Sequence, residues 1–151
     1  MAAIDFPVGL PLPLRSGYDV NHASPLMRTE LQSGRARQRR RYTSVPSLAS
    51  VSWIFSQSEA QFFEAWFRWT LADGTEWFNA SLRTPMGLMA YECRFAEMYA
   101  GPLLVGVDRW QVQAKLEIRD RPTLPPGYDI VQSLVLQSAL FDQAINREWP
   151  T

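Results

Sequence analysis

The segment from Trp110 to Arg119 constrains the fold more than any other part of the chain, because its side chains alternate strictly in polarity. Apolar residues alternate with polar residues along it. The apolar residues are Trp110, Val112, Ala114, Leu116 and Ile118, and the polar residues are Gln111, Gln113, Lys115, Glu117 and Arg119. Successive side chains of a β-strand point to opposite faces. One apolar and one polar face are typical of an antiparallel sheet that covers a core on one side. We therefore expect such a sheet.

A second local signal begins at Ser56, which forms the motif S-x-x-E with Glu59. In this capping box the two side chains bond to backbone N–H groups that the first helical turn leaves without partners. Asp73 and Gly74 mark the other end, since glycine readily takes the left-handed conformation of a helix C-cap. We predict a helix over about 57–72. Its apolar face is expected to contain Phe62, Phe63, Trp66, Phe67, Thr70 and Leu71.

The stretch between Ser56 and Leu82 is dense in aromatic residues, and three interpretations are open. It could form a ligand pocket, a surface that stacks nucleic-acid bases, or the core of a small domain. The aromatic positions divide by periodicity between the helix face and the strand after it, which favours a core between helix and sheet. Trp69 is the exception, because helical spacing turns it away from Phe63 and Phe67. We interpret Trp69 as a candidate contact with another subunit.

Further strands are predicted on both sides of the helix. Val51, Trp53 and Phe55 alternate before it, and residues 75–82 return after it towards a turn at "RTPMG". The motif "AGP" is expected to end the next strand, with a loop as far as Asp108. One face of that strand is apolar: Met89, Tyr91, Cys93, Phe95 and Tyr99. The fold prediction is mainly β, an antiparallel β-sandwich or barrel flanked by one α-helix.

The chain is expected to divide into three zones. Residues 1–34 form an extended, Pro-rich arm, residues 35–121 form the β-sandwich core, and residues 122–151 form a Pro-rich linker and an amphipathic helix. Both terminal zones carry apolar residues that the core need not absorb. We expect at least one zone to lie on a neighbouring subunit, and the candidate interface residues are Phe6, Leu10, Leu12, Leu134 and Phe141.

Catalytic and metal-binding patterns are missing from the sequence. Cys93 and His22 are the only cysteine and histidine, so an intrachain disulfide and a Cys/His zinc cluster are excluded. A Ser-His-Asp triad would have to use His22, which lies in the Pro-rich arm without a catalytic motif. Glycine-rich phosphate loops and nucleophile elbows do not occur either. We expect no enzymatic activity, no metal and no cofactor.

The N-terminal residues lack the basic start of a signal peptide and are interrupted by prolines. No apolar run approaches the ~20 residues that a membrane-spanning helix needs. We therefore expect a soluble chain that is made in a cytosol and has no membrane partner.

The run "RARQRRR" allows two interpretations. In a strand, Arg35, Arg37, Arg39 and Arg41 share one face, and four guanidinium groups in a row could follow a phosphate backbone. The chain would then be a nucleic-acid-binding module. Alternatively, the strand is a solvated or inter-subunit edge, where cations oppose aggregation between strands. A net charge of zero and the single neighbouring aromatic, Tyr42, favour the edge.

Five segments occur in an order that resembles a known family: Arg41-Tyr42, Val51 to Phe55, Phe63 to Phe67, Asp73 to Phe78, and Trp110 to Ile118. The resemblance covers about residues 35–121. The family is that of the small minor tail proteins of lambda-like siphophages. These proteins occupy the distal-tail position, between the last ring of the tail tube and the tail-tip hub.

The resemblance implies a structural virion protein with a fold of the tail-tube type. Its expected partners are further copies of itself in a hexameric ring, the tail-tube protein and the tail-tip hub protein. Its expected place is the tail of the virion, at the distal tip, after assembly in the cytoplasm of a bacterial host. A tail-terminator or head–tail joining protein would have nearly the same sequence pattern, so both remain alternatives.

Overall fold

The computed structural model describes residues 3–148, without the side chains of residues 139, 141, 142 and 145–148. Within this range the chain forms nine strands and two α-helices. In chain order they are β1 Ile4–Asp5, β2 Asp19–His22, β3 Leu26–Thr29, β4 Arg37–Arg40, β5 Ser47–Phe55, α1 Gln57–Ala65, β6 Phe78–Thr84, β7 Gly87–Phe95, β8 Ala100–Val105, β9 Arg109–Ile118 and α2 Gln132–Glu148.

Seven strands form one sheet around β9. The order is β1-β6-β7-β9-β5-β2, and β8 also pairs with β9. β5 pairs with β9 along its full length, from Ser47 opposite Ile118 to Phe55 opposite Trp110. Each pairing is antiparallel except that of β1 with β6, so the sheet is mixed. The alternation predicted in β9 is confirmed, because its inward side chains are buried at Val112, Ala114, Leu116 and Ile118.

An aromatic core fills the space between this sheet and α1. Phe63 is fully buried, and its ring centroid lies 5.0 Å from that of Phe55 and 5.3 Å from that of Tyr99. Phe67 lies edge-on to Phe95, with centroids 4.9 Å apart. Edge-to-face and tilted pairs at these distances add to the energy of burial. The dense aromatic stretch is therefore mainly core, as the sequence predicts.

The capping box at the start of α1 is confirmed. Ser56 donates its backbone N–H to Glu59 Oε2 at 2.9 Å, and the Glu59 N–H is directed at Ser56 Oγ at 3.5 Å. The helix continues beyond Ala65 as a π-helical turn, Trp66–Thr70. Gly74 follows with a φ of 86°, a left-handed conformation that favours glycine. The helical segment therefore ends close to the predicted limit of residue 72.

Two residues expected on the apolar helix face are exposed. Phe63, Trp66 and Phe67 are buried as predicted, whereas Phe62 and Thr70 face solvent. Phe62 lies about one third of a turn from Phe63, which places it beyond the edge of the contact with the sheet. Thr70 is displaced by the π-helical turn, in which the N–H of Leu71 bonds to the carbonyl of Trp66, five residues earlier. Leu71 takes the buried position instead.

The prediction of a loop between "AGP" and Asp108 is wrong, because β8 occupies most of it. Gly101 has a φ of 107°, and the register with β9 shifts between Ala100 and Leu103. Glycine and proline here form an irregularity inside a strand and do not end it. The preceding strand is also shorter than expected. It stops at Phe95, with Tyr99 outside it and Met89 exposed.

The Pro-rich arm crosses its own domain. Phe6 donates its N–H to the carbonyl of Asn79 at 2.8 Å, and Leu14 donates to the carbonyl of Ser52 at 2.8 Å. The arm also contributes β2 to the edge of the large sheet. Farther along, β3 pairs with β4 in a separate two-stranded sheet. This sheet joins residues before and after position 34, the predicted end of the arm. The zone boundaries themselves stay a prediction.

The outer face of the sheet carries a layer of ion pairs over Trp77. Arg94 pairs with Glu117 and Arg119 pairs with Glu92, each with an N···O distance of 3.0 Å. The guanidinium carbons lie 4.6 Å and 5.8 Å from the centroid of the Trp77 ring. This arrangement keeps an aromatic ring partly covered on a face that is otherwise polar.

The predicted fold class is confirmed: a mainly β domain with a flanking helix and a second helix near the C-terminus. Over the residues described, the seven-stranded sheet does not close into a barrel. The arrangement is consistent with a β-sandwich-like domain.

Candidate assembly surfaces

The only histidine of the chain forms a contact with a serine. His22 Nδ1 lies 2.7 Å from Ser47 Oγ, which connects β2 to β5 at the edge of the sheet. Ser47 is completely buried, so its hydroxyl is not accessible to a substrate. Among the described residues no group of three or more His, Cys, Asp or Glu side chains is placed to hold a metal ion. The pair is best understood as a structural contact.

The largest described depressions are open and polar. One cleft of about 350 Å³ lies between Ser16 and the outer face of β5 and β9. Lys115 and Glu97 face this cleft and form an ion pair of 3.0 Å. Its walls hold neither a cluster of titratable groups nor an apolar floor. The exposed surface therefore offers the candidate functional sites.

The β3–β4 hairpin with its flanking residues 24–42, here called the basic hairpin, is the most charged part of that surface. Its strands are almost fully exposed on both faces. Six arginines and one glutamate give it a formal charge of +5. The whole chain is neutral, so all other residues together carry −5. The charges are therefore strongly segregated, which the net charge alone conceals.

Within the basic hairpin the predicted arginine face is formed in part. Strand β4 contains Arg37 and Arg39, whereas Arg35 and Arg41 lie outside its ends. Arg39 is 3.5 Å from the sulfur of Met27 on β3. Arg41 lies 5.2 Å from the centroid of the neighbouring Tyr42 ring, and both side chains are exposed. The four guanidinium groups are free to meet a partner.

Trp69 lies on the solvent side of the helical segment, where helical spacing predicts it. Its side chain is 75% exposed, and the guanidinium of Arg68 lies 4.8 Å from the centroid of its ring. An exposed indole of this kind is uncommon on a monomer surface and frequent in protein interfaces. Phe62 is also exposed on the same helical segment.

Exposed acidic residues precede and follow Trp69 in the sequence. Glu64, Asp73 and Glu76, here called the acidic turn, are all exposed. Burial raises the pKa of Tyr99, and the negative charges of Glu64 and Asp73 raise it further. Those two carboxylates therefore act on the same hydroxyl group at the end of the helical segment. The helical segment and the turn after it therefore carry both exposed negative charge and an exposed tryptophan.

The candidate residues of the N-terminal arm lie mainly within their own subunit. The ring of Phe6 stacks on Trp53 with centroids 5.8 Å apart, and Leu10 belongs to the buried core. Leu12 is about half exposed and borders a small apolar groove of about 140 Å³, together with Leu88 of β7. Of the three arm residues, Leu12 is the one with surface left for a neighbour.

The C-terminal helix α2 exposes several leucine side chains. Leu134, Leu136 and Leu140 are all exposed, and Ile130 before the helix is exposed too. Phe141, the other candidate in this zone, lies outside the described side chains. No helix in the described part of the chain is long and apolar enough to cross a membrane.

The sequence did not indicate the exposed leucines of β8. Leu103 and Leu104 are more than half exposed on a strand whose described partner is β9 alone. They were missed because "AGPLLVGVD" lacks alternation and begins with two residues that commonly break strands. The signal that remains is composition, since three consecutive apolar residues rarely occupy a solvated loop.

The comparisons with known proteins identify a similar fold. No protein-family model matches the sequence, and no curated protein matches it. A solved structure described as the virion of a native gene transfer agent particle contains a chain with a TM-score of 0.53 to this protein and 12% identity. The match covers 81% of this chain and 99% of that one. At this identity the likeness shows a shared fold.

Proposed function

We propose that this protein is a structural subunit of a tailed phage or phage-like particle and forms a ring at the distal end of the tail. The observation that carries the proposal is the fold shared with a chain from the virion of a gene transfer agent particle, over 99% of that chain. The order of sequence segments supports the same class independently, because it resembles small minor tail proteins.

A structural role also fits the positions of the polar side chains and clefts. The hydroxyl oxygen of the histidine–serine pair is buried, and the cleft beside Ser16 is open and polar. The features that stand out are surfaces that suit protein contacts: an exposed tryptophan, an arginine-rich hairpin and a helix with exposed leucines. Tryptophan and arginine are enriched in the residues that dominate binding energy at interfaces. We propose that the protein performs assembly and no catalysis.

We propose that α2 is the main fastener between neighbours. Phe6 and Leu10 are occupied within their own subunit, whereas Leu134, Leu136 and Leu140 are exposed. An apolar helix that follows a Pro-rich linker can reach an adjacent copy or the next ring of the tail. The proposed partners are the same chain in a hexameric ring, the tail-tube protein and the tail-tip hub protein.

The ring is tested by the mass of the purified full-length chain in solution. We expect a closed assembly of about 104 kDa for six copies of 17.3 kDa, by native mass spectrometry. The variant Leu134→Asp/Leu136→Asp removes apolar surface from α2 and should reduce the assembled fraction. Leu124→Asp, a change in the linker at another exposed leucine, is the matched control.

Two outcomes would contradict the proposal. A chain that stays monomeric at every concentration, alone and with its neighbouring virion proteins, would argue against a ring. Full assembly of the α2 variant would show that α2 is not the fastener. A tail-terminator or head–tail joining protein would also form a ring, so the position along the virion requires the localisation described at the end of the Discussion.

A further inference from the structure

Among the described residues, the basic hairpin forms no ion pair with the rest of its own subunit. Its one ion pair within the described residues joins Arg28 to Glu30 at 3.8 Å, inside the hairpin itself. The other described ion pairs lie elsewhere, on β7, β9 and the segment before β8. A two-stranded sheet alone is marginal in stability, and like charges along it add repulsion. The hairpin therefore gains most from a contact that supplies negative charge.

The complementary charge is present on the same chain. Residues 57–76 contain four acidic residues and one arginine, a formal charge of −3 out of the −5 outside the hairpin. Three of those carboxylates form the acidic turn, and Glu59 is used in the capping box. Trp69 is exposed on the same segment. Carboxylates and an exposed indole on one segment offer arginine both of its preferred contacts, bidentate hydrogen bonds and stacking.

The two surfaces are attached to different parts of the sheet. The hairpin leaves the sheet between His22 of β2 and Ser47 of β5. The acidic turn follows Phe67, which packs on Phe95 of β7. In the strand order β7-β9-β5-β2, these attachment points are separated by the central strand β9. Within one subunit they form no described ion pair, so the two surfaces are available to meet between copies.

We propose that the basic hairpin of one copy docks on the acidic turn and Trp69 of the next copy. This inference rests on the proposed function and deepens it, because it names the residues of the ring contact. Two different surfaces of one chain can pair head to tail, and a repeated head-to-tail contact produces a ring when the rotation closes. The occupant is a second copy because the charges of the hairpin and of the rest of the chain balance.

The exposed apolar side chains of both surfaces fit the same contact. The hairpin carries Leu26, Leu31 and Tyr42, all about half exposed, among its arginines. The helical segment presents Phe62 beside Trp69. An interface with an aromatic and apolar centre and a charged rim is the usual arrangement. The arginines then give direction and register, and the apolar residues exclude water around them.

The experiment uses two charge-reversed full-length variants, Arg37→Glu/Arg39→Glu in the hairpin and Glu64→Lys/Glu76→Lys in the acidic turn. Asp73 is left unchanged because its φ of 56° is unfavourable for most other residues. We expect each variant alone to self-associate about tenfold more weakly or worse, measured by sedimentation velocity, because repulsion replaces attraction. An equimolar mixture should recover association, since each variant then meets an opposite charge.

The matched control is Arg15→Glu/Arg83→Glu, which makes the same change in charge at exposed arginines outside the hairpin. It should associate as the wild type does. Wild-type association should also weaken as salt is raised. Circular dichroism of every variant verifies that the fold is retained.

Three results would overturn the docking. Reversed variants that associate as strongly as the wild type would overturn it. A mixture of the two variants that fails to recover association would overturn it as well. If the wild type binds duplex DNA and only the hairpin variant loses that binding, the hairpin is a nucleic-acid site. If both reversed variants associate as the wild type does, the docking proposal is wrong but the ring is not contradicted. A wild type that never associates contradicts the ring itself.

Discussion

Truncation of Phe63 to alanine removes the ring at the centre of the aromatic core. This side chain is 0% exposed, and rings of five other residues lie within 6.4 Å of it, centroid to centroid: Trp53, Phe55, Trp66, Phe95 and Tyr99. Alanine in its place leaves a cavity between α1 and the sheet. The neighbouring side chains of these two layers cannot fill this cavity. The expected loss is about 3–5 kcal/mol in the free energy of unfolding.

The matched control is the preceding residue. Phe62 has the same side chain on the same helix but is 55% exposed, so Phe62→Ala should change the free energy of unfolding by less than about 1 kcal/mol. Urea denaturation followed by tryptophan fluorescence measures both variants. It is done at low protein concentration so that assembly does not contribute. In a thermal scan, Phe63→Ala should lower the melting temperature by roughly 6–20 °C.

The reasoning would be refuted if the two phenylalanine variants lost similar amounts of stability. That result would mean that burial does not distinguish the two positions, and that α1 does not pack on the sheet through Phe63. A loss confined to Phe63→Ala supports the core as described.

Three further predictions concern local features. Ser56→Ala removes the acceptor of the capping box and should cost about 1 kcal/mol in urea denaturation, whereas Ser58→Ala next to it should be nearly neutral. Gly74→Ala places a Cβ 2.9 Å from the Phe67 ring at a φ of +86°, so it should cost more than about 1 kcal/mol. Burial raises the pKa of the Cys93 thiol to about 12, so Ellman's reagent at pH 8 should label the unfolded chain and leave the folded one unlabelled. Because the unfolded thiol ionises near its ordinary 9.0, folding stability should also fall as pH rises above about 9.

Much of the fold follows from local sequence patterns. The alternation in β9 and the capping box before α1 each depend on residues close together in the chain, and both are confirmed. The aromatic core follows from those two elements, because a helix and a sheet with apolar faces bury them against each other. Local periodicity was therefore sufficient for β9 and for the start of α1.

The errors arise where long-range contacts decide the outcome. β8 forms because β9 supplies a hydrogen-bonding partner, and glycine at position 101 permits the irregular register. The π-helical turn after α1 moves Thr70 off the core, which a regular helical period does not anticipate. The pairing of β3 with β4 also leaves little trace in sequence, because neither strand buries a face.

The exposure of the candidate interface residues was predicted with mixed success for a related reason. The exposed position of Trp69 could be predicted because helical spacing alone turns it outward. The arm residues Phe6 and Leu10 have the same alternating pattern whether they cover their own domain or a neighbour, so sequence cannot separate the two cases. The structure places them in their own core.

The central claim, that this chain is a ring subunit at the distal end of a tail, is tested most directly by locating it on the particle. Gold-labelled antibody against the chain, viewed by electron microscopy on purified virions, should mark a single band at the end of the tail away from the head. Label at the junction between head and tail would contradict the distal position and favour the joining or terminator role. Intact particles that carry no label, with the chain also undetected in them by mass spectrometry, would contradict the virion role itself.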